Sequence, residues 1–496
     1  MKAQVVKKVV IAGGGTAGWC AAAALSRLIG SVLDITLVES ADIGIVGVGE
    51  STIPTVRTFH HLVGVDEQAF MRETNAAFKL GIDFQNWARQ GDQYFHSFGT
   101  IGKSPWMAHF YNIWLEARSK GLGGSLDDYS LETKAAMAGK FQLHKNLSIN
   151  YAYHLDAVLY GKYLRKLSEE AGVKRREGQI VSVQQNSETG FITSVTLASG
   201  EVIEGDLFID CTGFRGLLIE ETLHTGYDDW SHWIRTDRAL AVQTEHAGPP
   251  VPYTKVIAHS AGWRWRIPLQ SRVGNGLVYS SAHMSDDEAH DLLMKNLDAP
   301  TTNTPRVIKY RTGKRKKIWN KNCVTMGLSS GFIEPLESTS IHLFQKSVLE
   351  LIQNFPFFGI NDTLVAHYND LAQREIECAR DFVILHYKLT ERSDTPFWSE
   401  NALMDVPESL QARIDLFRES GMAYQGPGEL FRTDSWVQVM LGQRLEPQGW
   451  HRLGAMMNEA EMNQVFDGLK KTVDHTVANM MPQEAFLKQY CPTAIA

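Results

Sequence analysis

The sequence predicts an α/β fold: a Rossmann-like βαβ unit with an interleaved sheet, followed by a mainly helical C-terminal part. Three observations carry this. Gly13, Gly15 and Gly18 stand at GxGxxG spacing between an apolar strand and an alanine-rich helix. A second apolar strand, Leu207 to Asp210, runs into Cys211-Thr212-Gly213. From about Asp362 onward the pattern is helical, broken by Pro396, Pro407, Pro427 and Pro447.

In the N-terminal unit, Val9 to Ala12 is the first strand, Ala21 to Leu28 a helix and Ile35 to Val38 the second strand. Gly13 permits a tight turn, Gly15 lets backbone approach a pyrophosphate, and Gly18 lets the helix pack closely on the strand. Thr16 and Ala17 complete the loop at the positive end of the helix dipole. Glu39, 21 positions after Gly18, can accept hydrogen bonds from an adenosine ribose. The pattern therefore predicts a dinucleotide site. Gly213 is a second place where backbone can approach the same ligand closely.

A glycine-rich loop, residues 44–49, ends at Gly49 and leads to Ser51-Thr52-Ile53-Pro54. Ser51 or Thr52 can cap the next helix, with Pro54 in its first turn. A surface cap and a strap over the cofactor are both compatible with this loop. Lys79 lies in the apolar run Phe78 to Phe84, and on pattern alone a lysine is a solvated surface residue. His96 and Phe98 belong to an aromatic cluster, and Trp106 to Trp114 continues the aromatic character as core or as a pocket for a flat ligand.

Residues Tyr151 to Gly172 read as an amphipathic helix, and Gln179 to Gln184 and Phe191 to Leu197 as strands. Trp263-Arg264-Trp265-Arg266-Ile267-Pro268 alternates as a strand with one buried face, ended by its proline. Arg311 and Lys314 to Lys317 form a short basic run of the kind that is usually a solvated turn. Ser338-Thr339-Ser340 precedes a helix starting near Ile341, where hydroxyls serve as caps and free N–H groups favour an anion.

Composition excludes several classes. Across 496 residues, 49 Lys and Arg face 56 Asp and Glu, a net charge of −7 that argues against nucleic acid or an anionic membrane as partner. Five scattered cysteines without a CxxC indicate reduced thiols, a reducing compartment and no metal site. No stretch approaches transmembrane length, so the expected location is cytoplasmic. The expected organisation is a core over residues 1–360 and a helical part over 361–496 that completes the substrate site.

Together these motifs resemble the flavin-dependent halogenases, the family that includes the tryptophan halogenases. Trp263, Trp265, Ile267 and Pro268 match the family's WxWxIP, and the three glycines match its flavin motif. Lys79 matches its catalytic lysine and Glu337 its active-site glutamate. The resemblance implies a flavin-monooxygenase-type fold binding FAD, used as FADH2, with chloride or bromide as co-substrate. It implies that a separate NAD(P)H-dependent reductase supplies the reduced flavin, and that hypohalous acid reaches Lys79 through a tunnel while Trp263 and Trp265 wall the flavin from the aromatic substrate. Thr339 and Ser340 fall where the family binds halide, although Ser340 replaces the usual Gly. His96 and Phe98 match an aromatic wall. The tyrosine-rich, Glu-containing clamp of the tryptophan-specific members has no match in residues 428–436, so the expected substrate is an indole-type or other electron-rich aromatic. A free-tryptophan halogenase and a one-component aromatic monooxygenase are the alternatives, and pairing with a second copy is left open.

Overall fold

The structure, a computed structural model, describes residues 5–40, 50–105 and 107–492. Gly49, the rest of the loop 44–49 and Trp106 lie outside the described residues. The chain forms two compact units, each assembled from three segments. Unit 1 comprises Met1–Asn75, Leu155–His232 and Tyr310–Glu377; unit 2 comprises Ala76–His154, Trp233–Lys309 and Cys378–Ala496.

Unit 1 is built on a six-stranded sheet in the order Trp319–Asn320, Cys323–Thr325, Leu207–Asp210, Lys8–Ala12, Asp34–Glu39, Lys174–Glu177. All its pairings are parallel except the Trp319–Asn320 hairpin. Val9 to Ala12 are buried without alternation, as expected for a parallel strand covered on both faces. Helix Thr16–Ile29 buries Ala21 to Ala24 and packs against helices Ala157–Glu170 and Ser340–Gln353. Its small side chains permit that close packing.

Unit 2 is built on a seven-stranded sheet in the order Arg306–Lys309, Arg238–Thr244, Val273–Tyr279, Gly262–Pro268, Thr254–Ala258, Gly81–Gln85, Gln93–Ser97. Only Thr254–Ala258 and Gly81–Gln85 pair in parallel. A separate strand, Ala77–Lys79, pairs antiparallel with residues 152–154, setting Lys79 opposite Ala152 and Ala77 opposite His154. Helices Thr433–Gly442 and Glu459–Ala478 are among those of the C-terminal segment. Among the described residues, no helix is long and apolar enough to cross a membrane, and no disulfide joins the five cysteines.

The fold corrects four expectations. The helix expected from Tyr151 begins only at Ala157; Ala152–Leu155 is a strand, and Asp156 caps the helix through the N–H groups of Val158 and Leu159. The apolar alternation there suited either period, and pairing with Ala77–Lys79 decided it. Strand Gly262–Pro268 is buried along its length except at half-buried Arg266, so both its faces are covered; Arg264 reaches the Asn296 carbonyl at 2.7 Å. Neither Ser51 nor Thr52 occupies the cap of helix Thr55–Val63, which Pro54 takes without a side-chain bond. In the basic run, Lys314 and Arg315 are buried strand residues that pair with Asp228 at 3.0 Å and Glu220 at 2.7 Å.

Trp265 sits opposite Gly276 on the neighbouring strand, and a Cβ on Gly276 would lie 2.0 Å from the indole Cζ2. Gly276→Ala is therefore expected to destabilise the protein by about 1–3 kcal/mol. The thermal midpoint should fall by several degrees, and an unchanged midpoint would show that the indole ring is not held there.

Candidate active site

The dinucleotide turn of unit 1 uses its glycines for different reasons. Gly13 has φ of +113°, and a Cβ there would meet the Cys211 carbonyl oxygen at 2.3 Å. A Cβ on Gly18 would meet the Gly13 carbonyl oxygen at 1.9 Å. These two are glycine because the protein packs against them. Gly15 differs. Its φ of −74° and ψ of −178° suit any residue, and among the described residues nothing lies within 4 Å of a Cβ placed there. Gly15 is also the N-cap of helix Thr16–Ile29, with no side-chain cap and no acid in the first turn. Neither conformation nor protein packing asks for glycine at 15. Open space beside an uncapped helix N-terminus is what a pyrophosphate requires. Gly213, with φ of +74°, likewise has nothing among the described residues within 4 Å of an added Cβ. The residues present therefore fit a dinucleotide such as FAD.

Other members of the turn are engaged within the protein. The Thr16 hydroxyl donates to the Ala157 carbonyl at 3.3 Å, and Ala17 packs where a Gly327 Cβ would come within 2.7 Å of it. Glu39 ends its strand as expected. Its carboxylate accepts from Trp19 Nε1 at 3.1 Å, Arg165 Nη1 at 3.3 Å and Arg175 Nε. Sequence reasoning missed both arginines; the available signal was the basic strand Lys174–Glu177 beside Glu39. It also missed Asp210, whose buried carboxylate accepts from the Thr212 N–H at 2.9 Å, the Thr212 hydroxyl at 2.6 Å, and the Leu218 and Ile219 N–H groups at 2.8 Å each. Asp210 thereby fixes the turn that carries Gly213.

A second element of unit 1 carries Glu337, Thr339 and Ser340. Glu337 closes the single turn Pro335–Glu337, Ser338 is left-handed with φ of +58°, and Thr339 is the N-cap of helix Ser340–Gln353. Glu337 and Thr339 are buried. Thr339 makes no side-chain cap bond, and its buried Oγ1 has no hydrogen-bond partner among the described residues. A buried hydroxyl at a helix N-terminus, with its hydrogen free to turn, suits an anion.

In unit 2 the surface expectation for Lys79 fails: the residue is 0% exposed. Its Nζ lies over the Phe98 ring, 4.9 Å from the centroid. Across the ladder stands His154, whose Nδ1 is 3.1 Å from the Pro268 carbonyl and whose Nε2 is 2.9 Å from Thr254 Oγ1. A carbonyl only accepts, so this network assigns the proton to Nδ1, and Nε2 accepts from Thr254. Burial, then the Lys79 charge, push the His154 imidazole far below its ordinary range. It stays neutral beside Lys79.

Trp263 and Trp265 share a face of strand Gly262–Pro268, with ring centroids 6.0 Å apart and planes at 57°. Both are buried, as are Ile267 and Pro268. His96 packs 5.5 Å from Phe382 and 6.4 Å from Phe431, themselves stacked at 3.7 Å. Arg432 donates to the carbonyls of Phe98 and Gly99 at 2.5 and 2.9 Å, pinning the aromatic wall. Phe382, Phe431 and Arg432 carried no motif that could have marked them. Glu429 is braced by Arg413 and by the Gly426 N–H at 2.8 Å.

The family described as tryptophan halogenase matches residues 8–459. Among characterised relatives, the tryptophan 7-halogenase RebH of Lentzea aerocolonigenes is 34% identical, over 98% of this chain and 98% of that protein. The tryptophan 6-halogenase SttH of Streptomyces toxytricini is 34% identical over 83% of this chain and 84% of its own. Among solved structures, a flavin-dependent halogenase from Xanthomonas campestris is similar with a TM-score of 0.98 and 50% identity, covering 99% of this chain and 100% of that one. BrvH, a flavin-dependent halogenase from Brevundimonas, gives 0.94 and 41%, covering 98% and 99%.

Two outcomes follow from this geometry. Gly15→Val should fold normally, its FAD-free thermal midpoint within about 2 °C of wild type, because its side chain enters open space. It should nevertheless lose FAD binding by fluorescence titration, whereas Gly18→Val should destabilise the protein itself. Retained FAD affinity in Gly15→Val would refute the cradle. For His154, the depressed folded-state pKa means that the unfolded chain takes up a proton below about pH 6.5 while the folded chain resists it. The stability advantage of wild type over His154→Gln should thus be greatest above that pH. It should shrink by up to about 1.4 kcal/mol per unit as pH falls further. Urea unfolding at several pH values measures it, and a constant difference would show that His154 is not held neutral.

Proposed function

The chain belongs to the tryptophan halogenase family of flavin-dependent halogenases, and from that premise we propose that it brominates or chlorinates an indole-type or other electron-rich aromatic, using FADH2, O2 and halide. The observation that carries the active-site reading is Lys79: a fully buried lysine whose Nζ lies over an aromatic face. Burying such a group is costly, so its retention asks for a task.

Gly13, Gly15, Thr16, Ala17, Gly18, Glu39, Gly49 and Gly213 hold the FAD. Reduced FAD with oxygen supplies, when bound, the oxidising power that converts halide to hypohalous acid. Thr339 and Ser340 hold the halide. Lys79 receives the hypohalous acid as a hydrogen-bonding ammonium rather than as a haloamine, a choice supported by the Nζ position over Phe98, where a cation is favoured. Hydrogen bonding from Nζ to the hypohalous oxygen makes the halogen electrophilic. A ring carbon takes the halogen while Nζ gives a proton to the departing oxygen, which leaves as water; Glu337 accepts the displaced ring proton, and reprotonation of Nζ with deprotonation of Glu337 restores both groups. Trp263, Trp265, Ile267 and Pro268 form the barrier that keeps the organic substrate from direct oxygenation. His96 and Phe98 sandwich the ring. Residues 1–360 supply the core of this chemistry, and 361–496 complete the substrate site, a division supported by the packing of Phe382, Phe431 and Arg432 on the His96–Phe98 wall. A separate NAD(P)H-dependent reductase in the cytoplasm supplies FADH2.

The names of the characterised relatives favour free tryptophan as the second reading. Glu429 weighs against it: Arg413 and Gly426 already satisfy this carboxylate, which leaves it ill suited to bind an amino-acid ammonium. The deciding experiment is a reductase-coupled assay of wild type and Lys79→Ala with indole, substituted indoles and tryptophan, under bromide and under chloride, read by mass spectrometry. Wild type should halogenate indoles in preference to tryptophan. Lys79→Ala should lose about 10²-fold or more of the halogenation while still consuming reduced flavin. Efficient single-position conversion of tryptophan with little turnover of indole would overturn the substrate, and undiminished halogenation by Lys79→Ala would overturn the role of the lysine.

A further inference from the structure

Helix Ser340–Gln353 begins without the devices that ordinarily secure a helix start. Thr339 makes no side-chain cap bond, and the first turn contains no acid. The residue before it, Ser338, sits at φ of +58°, a conformation that a side chain disfavours and that its surroundings must enforce. Yet this turn bears Glu337, Thr339 and Ser340, and its geometry must be reproducible if it is to hold an anion.

What secures it is a buried polar chain one turn into the helix. His342 Nδ1 is 2.8 Å from Thr55 Oγ1, and His342 Nε2 is 2.8 Å from Glu375 Oε1. His342 and Glu375 are both buried. Glu375 as a carboxylate only accepts, so Nε2 carries a proton toward it, and Nδ1 pairs with the Thr55 hydroxyl. Thr55 is the first residue of helix Thr55–Val63, which packs against helix Ser340–Gln353. The same two helices are joined farther along through Tyr160, whose hydroxyl meets His60 Nε2 at 2.8 Å and Gln345 Nε2 at 3.1 Å. That second link allows the helix pair to survive loss of the first.

We propose that His342, held between Thr55 and Glu375, is a positioning residue that stands in for the missing helix cap and thereby sets the halide affinity of the Thr339–Ser340 turn. The proposal rests on the reading of that turn as the halide site. Its chemistry is specific to the two ring nitrogens. The bond to Glu375 fixes the ring, and the bond to Thr55 transmits the position of a neighbouring helix to the uncapped start. Loss of the Thr55 bond loosens the turn without touching any group that reacts.

The test uses FAD-loaded protein and bromide at constant ionic strength, with two readouts: the bromide KM against kcat, and the bromide dependence of the thermal midpoint. Thr55→Val removes the hydroxyl and keeps the shape. His342→Gln retains an amide toward Glu375 and drops the partner of Thr55. Both are expected to need roughly three- to tenfold more bromide for half-saturation, the effect of one buried hydrogen bond, with kcat at saturation within about twofold of wild type. Thr55→Ser should restore wild-type behaviour. Thr339→Ala is the reference, expected to weaken bromide binding by itself. If Thr339→Ala raises the half-saturation and Thr55→Val and His342→Gln do not, the positioning role is overturned. If Thr339→Ala leaves it unchanged, the halide reading beneath the proposal falls instead. A loss confined to kcat in Thr55→Val and His342→Gln also overturns the proposal.

Discussion

A lysine withdrawn from water is the constraint on which the centre of unit 2 depends. A buried lysine survives only where its surroundings replace the lost hydration and add no second positive charge. Phe98 offers the electron-rich face of its ring. His154 contributes by remaining neutral, which its burial and its neighbours Lys79 and Arg266 favour against the opposing pull of the Pro268 carbonyl. One of its two hydrogen bonds ends on that carbonyl, which belongs to the last residue of the tryptophan-bearing strand. The lysine strand and the tryptophan strand are therefore tied through one imidazole. An apolar replacement of His154 would leave that carbonyl and the Thr254 hydroxyl to find new partners.

Unit 1 presents a different problem, two helix starts that carry no side-chain cap, one at the glycine turn and one at the Thr339 turn. Each is then stabilised by contacts other than a cap. Close packing of Gly13 and Gly18 against Cys211 and each other supports the first, and the Thr55–His342–Glu375 chain supports the second. Leaving the cap empty keeps N–H groups available to a ligand; stiffness has to be supplied by neighbours that do not block them.

Much of this was legible in the sequence wherever the signal is local. The βαβ unit, the strand Gly262–Pro268 and the helical last third follow from periodicity and glycine spacing, because these depend on a few adjacent residues. Tyr151 to Leu155 misled because aromatic and apolar residues there fit both periods, and only the partner strand decides between them. Lys314 and Arg315 misled because their acids, Asp228 and Glu220, lie far off in the chain. Lys79 shows the limit most clearly: pattern assigned it to the surface, and only the family resemblance gave it a role, since burial is a property of the assembled sheet. The His342 chain was invisible for the same reason, its partners standing 287 and 33 positions away.

The cysteines acquire a meaning from the chemistry beside them. Cys20, Cys323 and Cys491 are buried, and burial raises the pKa of the thiols of Cys20, Cys211 and Cys323 well above the ordinary range. Electrophilic oxidants attack the thiolate, so at neutral pH these side chains offer almost none of the reactive form. Under the mechanism proposed above, each hypohalous acid molecule that missed the substrate would be a poison to the catalyst. Keeping sulfur dry and protonated lengthens working life without any dedicated scavenger, and it sets a rule for redesign: a new surface cysteine in this scaffold would become the first casualty of turnover.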